Sequence, residues 1–240
     1  MSRNRFSAAT SWQLSWDARR IPCASLLLST AAAFIFLLPS LAAHLQYDRA
    51  SIAAGEIWRL LSGHWVHYCF DHFFWDVLAF AFLALACERR SRSRFLVCVT
   101  ASAFAISLSV WFWLPGMRAY GGLSGVDSAL FALLFMEVSS EAVGSGKRVQ
   151  VAVAAACLAG FLLKISFELA TGKNLFVQSL ESGTVGVPLA HVAGATVGFL
   201  VGLGKKPQCA WRNWRWWSRL TYSKTCAGRP LGLGVYSAPR

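Results

Sequence analysis

Polar residues interrupt this chain only at long intervals, and the apolar runs between them carry the first prediction. Six runs lie at 24–44, 68–87, 95–114, 122–138, 149–169 and 187–204. A hydrocarbon core about 30 Å thick takes roughly 20 residues of helix to cross, so each run is long enough or nearly so. The fourth and sixth are short, which suits helices that begin inside the protein rather than at its lipid edge. The predicted fold is an all-α membrane protein, a bundle of six transmembrane helices over residues 21–204. A basic segment, 1–20, precedes it, and a basic Trp-rich tail, 205–240, partly disordered, follows. The first run, after Arg19 and Arg20 and ending in "SLAA", has the look of a signal peptide. Its length and the five runs behind it favour a retained span.

Composition strengthens this picture. Of the 240 residues, 56% are hydrophobic and 14% charged, and mean hydropathy is +0.48. Soluble domains carry about 25% charged residues. A net charge of +12 would suit nucleic acid, but its distribution argues otherwise. Arg3, Arg5, Arg19 and Arg20 precede run one. Arg89, Arg90, Arg92 and Arg94 separate runs two and three, and Lys147 and Arg148 separate four and five. Eight more follow run six, from Lys205 to Arg240. Basic residues concentrate on the cytoplasmic side of membrane proteins, which predicts both termini cytoplasmic and no nucleic-acid partner. In the tail, "AWRNWRWWSR" at 210–219 reads as an interfacial segment, with Trp at the headgroups and Arg toward anionic lipid. The seven cysteines show no metal or disulfide spacing, and most sit within runs as small hydrophobes.

Ionisable groups inside spans are costly and so mark candidate sites. Runs two, four and six all enter from the outer side. Their outer ends carry His67, His72 and Asp76; Ser124, Asp127 and Ser128; and His191. Taken singly, each has a bland reading, because a serine can bond back to its own helix and a histidine can simply pack. Their convergence at one depth favours a site. His72 and Asp76 are four apart and share a helix face, as do Ser124 and Ser128. Run six repeats small residues at Ala190, Gly194, Gly198 and Gly202, and run four does so at Gly121, Gly125 and Ala129. Two such faces can pack closely and bring Ser124 toward His191. A serine beside a histidine is the minimum for an activated nucleophile. An oxyanion needs donors, which the Ser124 N–H at a helix start and His72 can supply. The hydrolase elbow G-x-S-x-G does not fit, because residue 126 is Val.

These residues resemble the rhomboid intramembrane serine proteases. "GLSG" at 122–125 is similar to the family's G-x-S-G, which implies Ser124 as nucleophile. "AHVAG" at 190–194 is similar to its A-H-x-x-G, which implies His191 as general base. "EIWR" at 56–59 resembles the Trp-Arg signature of the first outer loop, and places Trp58 and Arg59 there as interfacial anchors. "HFFWD" at 72–76 stands where the family has H-x-x-x-N, which implies His72 as oxyanion donor. Gly122, Gly125 and Gly194 support the site. The resemblance runs from about residue 50 to 203. Within the family, "YGGLSGVDSALF" and "VPLAHVAGATVGFLVGL" look most like the rhombosortases. That subgroup is associated with proteins bearing C-terminal GlyGly-type sorting segments.

The resemblance implies a serine endopeptidase of the bacterial inner membrane, its site facing the periplasmic side. It implies membrane-protein substrates with a C-terminal transmembrane segment, and no metal or organic cofactor, because the dyad supplies its own base. Cleavage would need the substrate helix unwound at small, helix-weak residues. Two departures stand out. Asp76 replaces an Asn, and a carboxylate repels an oxyanion unless it is protonated; alternatively it orients His72. Ser128, with Asp127 beside it, stands where many rhomboids have an aromatic four residues after the serine. Asp127 is a candidate partner for His191 and, alternatively, faces Arg118 or water. Two other readings remain open: a catalytically inactive rhomboid-like binder of membrane segments, and a small transporter with Asp76, Asp127 and Lys164 on its path. The transporter lacks the paired broken helices and inverted repeats it would need.

Overall fold

The computed structural model describes residues 21–172 and 187–204. The predicted N-terminal segment 1–20 and the tail from 205 lie outside the described residues. Nine α-helices are described: α1 (Cys23–Leu37), α2 (Pro39–Leu45), α3 (Arg49–Ala53), α4 (Arg59–Ser62), α5 (Phe70–Arg90), α6 (Arg92–Trp113), α7 (Ser124–Gly144), α8 (Arg148–Thr171) and α9 (Pro188–Leu203). Each predicted run holds a helix or a bent helix pair. Three helices, α5, α6 and α8, are individually long and apolar enough to cross a membrane, or four with α1 and α2 counted as one span.

The first run departs from its prediction. It is not one helix: α1 and α2 meet at 115°. Pro39 is the cause. Its ring excludes the α conformation at the preceding residue, and Leu38 takes φ −121° and ψ 86°. The unbroken part, α1, is 15 residues, about 22 Å.

α7 is the central helix, touching α5, α6, α8 and α9. Val126, Ala129, Leu130 and Leu133 are buried along it. Its closest neighbour is α9, and small residues set that distance. A Cβ on Gly194 would overlap the Gly125 carbonyl, and one on Gly198 would overlap the Ala129 carbonyl. A Cβ on Gly125 would stand 2.8 Å from Ile106 Cδ1 and 3.1 Å from the Ala190 oxygen. Gly121 belongs elsewhere: its Cβ would meet the Val66 carbonyl at 2.7 Å, in the connection before α5.

Two short strands, β1 (Tyr47–Asp48) and β2 (Ala119–Tyr120), pair antiparallel, Tyr47 opposite Tyr120. They tie the segment before α3 to the segment before α7. Asp48 caps α3, accepting from the Ser51 N–H at 2.7 Å, and this bond holds its carboxyl below the usual range.

Three arginines close helix C-termini, where unpaired carbonyls favour a cation. Arg49 donates to the carbonyls of Val110, Trp111 and Leu114 at the end of α6, its guanidinium 4.5 Å from the Trp111 ring centre. Arg59 donates Nη1 to Ala43 and Gln46 at the end of α2, both at 2.9 Å. Arg94 donates Nη2 to Val201 at 2.6 Å and Gly202 at 2.9 Å, at the end of α9. The anchor prediction for "EIWR" therefore divides: Trp58 is exposed, whereas Arg59 is buried, paired to Glu56 and clamped on α2.

Candidate active site

Ser124 is the first residue of α7, and the turn before it depends on glycine. Gly122 has φ +115°, a conformation that L residues with a Cβ rarely adopt, and a Cβ there would press on the His72 imidazole. The tight turn brings two backbone N–H groups to one point. Leu123 and Ser124 both donate to Asp76 Oδ2, at 2.9 and 3.1 Å. His72 Nε2 lies 3.2 Å from the same oxygen, and His67 Nε2 lies 3.5 Å from it. The two imidazoles meet edge to face, 5.1 Å apart.

This corrects one expectation. The Ser124 N–H is not free at the helix start but held by Asp76. His72, expected to face an oxyanion, likewise has Nε2 beside the Asp76 carboxylate. Four groups able to bind an anionic oxygen thus converge, and a side-chain carboxylate occupies their focus.

His191 is the fourth residue of α9 and is buried. Its Nδ1 lies 2.7 Å from Glu168 Oε2, on α8. Lys164, one turn earlier on α8, pairs with the other oxygen, Oε1, at 2.8 Å. Glu168 is 2% exposed, so this is a buried three-group chain. Asp127, considered above as a partner for His191, is not that partner. Its Oδ1 has no hydrogen-bond partner among the described residues. Ser128 donates its hydroxyl to the Ser124 carbonyl at 2.9 Å, the back-bond of a helical serine.

Ser124, His191, Glu168, Lys164, His72, Asp76 and Asp127 line one cavity of about 450 Å³. Apolar walls complete it: Trp75, Leu78, Phe82 and Leu83 from α5, with Phe131 and Phe161 stacked at 4.7 Å between α7 and α8. The cavity falls in the size range of ligand sites, mostly apolar with a few convergent polar groups. Chemically, a hydroxyl and an imidazole on one cavity can form a nucleophile and its base. An imidazole whose Nδ1 is engaged by a carboxylate presents Nε2 as the proton acceptor.

The family model of the rhomboid domain matches residues 54–207. The chain belongs to the rhomboid family. Rhomboids are serine proteases that act on membrane proteins within the bilayer, and this rhomboid chain is a multi-pass membrane protein. No curated protein matches it significantly. The matched region holds every residue named at the cavity.

Glu168 is the site residue that sequence reasoning missed. A signal was present: Lys164 and Glu168 are four apart in an otherwise apolar run, the spacing of an ion pair on one helix face.

Proposed function

We propose that this rhomboid is an intramembrane serine endopeptidase in which Ser124 attacks the scissile carbonyl and His191 takes the hydroxyl proton. The observation that carries the reading is the placement of Ser124 and His191 on one cavity, contributed by two helices packed through glycine. The tetrahedral intermediate would carry its negative oxygen near the N–H groups of Leu123 and Ser124 and near His72, which requires Asp76 Oδ2 to withdraw from them first. His191, protonated in the first half of the reaction, returns the proton to the leaving amine. Water then enters the cavity and releases the acyl group by the same route.

The finer reading is rhombosortase-like. Substrates are proteins with a C-terminal membrane segment preceded by small residues, cut at the periplasmic face of the inner membrane. The chain crosses six times with both termini cytoplasmic, α1 and α2 together forming the first crossing. A short, helix-weak glycine pair in the substrate suits the site, because backbone must leave its helix before a serine can reach it.

A second reading has one observation in its favour. Asp76 Oδ2 sits on the N–H groups an oxyanion would use, as expected of a rhomboid that binds membrane segments without cutting them. One experiment separates the two. Full-length protein in detergent is treated with a fluorophosphonate probe beside Ser124→Ala and His191→Ala. Labelling of the unsubstituted protein alone supports the protease; a folded protein that does not label is a binder.

A further inference from the structure

The geometry at His191 points beyond a two-residue mechanism. We propose that Glu168 is a positioning residue, the third member of a Ser124–His191–Glu168 triad, and that Lys164 fixes which carboxylate oxygen faces the imidazole. The proposal rests on the roles given above to Ser124 and His191.

Glu168 Oε2 lies 2.7 Å from His191 Nδ1, a charge-assisted distance. Both groups are buried, Glu168 on α8 and His191 on α9. A carboxylate can only accept, so Nδ1 must carry the proton, and Nε2 is left with its lone pair free to accept one. When the Ser124 hydroxyl proton moves to Nε2, the ring gains a positive charge, and the Glu168 carboxylate beside it stabilises that charge. The proton remains on the imidazole until it leaves with the amine; Glu168 takes none. Lys164 Nζ, 2.8 Å from Oε1, holds the other oxygen and keeps the carboxylate plane in place.

The competing account makes Glu168 only a companion for Lys164, one ion pair that neutralises a lysine within an apolar helix. Lys164 itself supplies the discriminating test. In Glu168→Gln the ammonium will take the amide oxygen, which turns the amide NH₂ toward His191 Nδ1. That nitrogen must then accept, its proton moves to Nε2, and the ring can no longer take a proton from Ser124. In the double variant Lys164→Met/Glu168→Gln the amide is free to turn and offer its oxygen again.

The experiment uses full-length protein in detergent and the fluorophosphonate probe, with thermal unfolding as the check on folding. Glu168→Gln is expected to slow Ser124 labelling by about 10²–10⁴-fold with little change in melting. The double variant is expected to regain roughly tenfold, which a simple ion-pair role would not produce. In parallel, ¹⁵N-histidine spectra, with the His191 signals assigned by their loss in His191→Gln, report the ring proton without any reaction. They should show it on Nδ1 in the unsubstituted protein and on Nε2 in Glu168→Gln. A folded Glu168→Gln that labels within about threefold of the unsubstituted protein, or keeps the proton on Nδ1, overturns the proposal. An unsubstituted protein that fails to label defeats the protease reading, and the spectra still decide the part played by Glu168.

Discussion

The two ends of the helix bundle treat their buried acids differently. At the end away from Ser124, each buried carboxylate faces an arginine, although Arg90 Nη1 has no hydrogen-bond partner among the described residues. Glu137 pairs with Arg90 at 2.9 Å and with Arg94 at 2.6 Å, and Arg90 also reaches Glu141 at 2.6 Å. Glu88 accepts the N–H groups of Ala24 and Ser25 at the start of α1 and pairs with Arg92 at 2.8 Å. At the Ser124 end, acids and imidazoles line a cavity, and Asp127 Oδ1 and His72 Nδ1 lack hydrogen-bond partners among the described residues. Closed ion pairs hold helices together. Unfilled bonding capacity beside a cavity is what a substrate can use. The arginines between α5 and α6 also lose part of their simple reading as topological charge, since Arg94 is buried in an ion pair and caps α9.

The contrast can be broken first at the closed end. Glu137→Ala leaves Arg90 and Arg94 buried without their shared partner, and should cost about 3–5 kcal/mol. The loss should appear as a large drop in unfolding temperature, with no selective effect on probe labelling in the fraction still folded. A small drop would mean that water already reaches these arginines.

A smaller effect separates structural from functional imidazoles at the Ser124 end. His64, in the connection before α5, is buried, with Nε2 2.9 Å from the Ala103 carbonyl and 3.1 Å from Ser107 Oγ. Burial pushes its pKa down to about 4. The unfolded chain therefore binds a proton near pH 6.5 that the folded protein refuses. Stability is full above that pH and falls as pH drops toward 4, by about 3 kcal/mol in all. His64→Gln should lower stability at neutral pH and flatten this acid slope. An unchanged slope would place the proton on another group.

The smallest expected change is the most informative about the cavity. Asp76→Asn replaces an acceptor-only group by one that can also donate, and should raise Ser124 labelling roughly tenfold with little change in unfolding. A fall instead would make the carboxylate a working part of the site, holding the turn at Leu123 and Ser124 in shape.

Much of this was legible in the sequence because helices repeat. The fourfold spacing of Gly194 and Gly198, set against Gly125 and Ala129, predicted the close α7–α9 contact that carries Ser124 and His191 to one cavity. The depth of His72, Asp76, Ser124 and His191 followed from counting along each run. What escaped has physical reasons. Glu168 lies on the fifth run, whereas the expectation followed runs that start at the outer side; its role appears only when α8 is set beside α9. The hold of Asp76 on two N–H groups depends on the φ of Gly122, which no periodicity encodes. Pro39 was visible, but unbroken apolarity around it favoured a continuous span. The two-residue strands β1 and β2 are too short to show alternation.

The helix that brings Glu168 is also the least enclosed of the three long apolar helices: only 6% of the most apolar stretch of α8 is buried, against 44% for α6. Most of its surface therefore faces acyl chains. The 2.7 Å bond from His191 Nδ1 to Glu168 spans α8 and α9, so its length depends on where this sparsely held helix sits. The bond on which the proposed triad depends is thus anchored, on one side, to the long helix with the least protein around it.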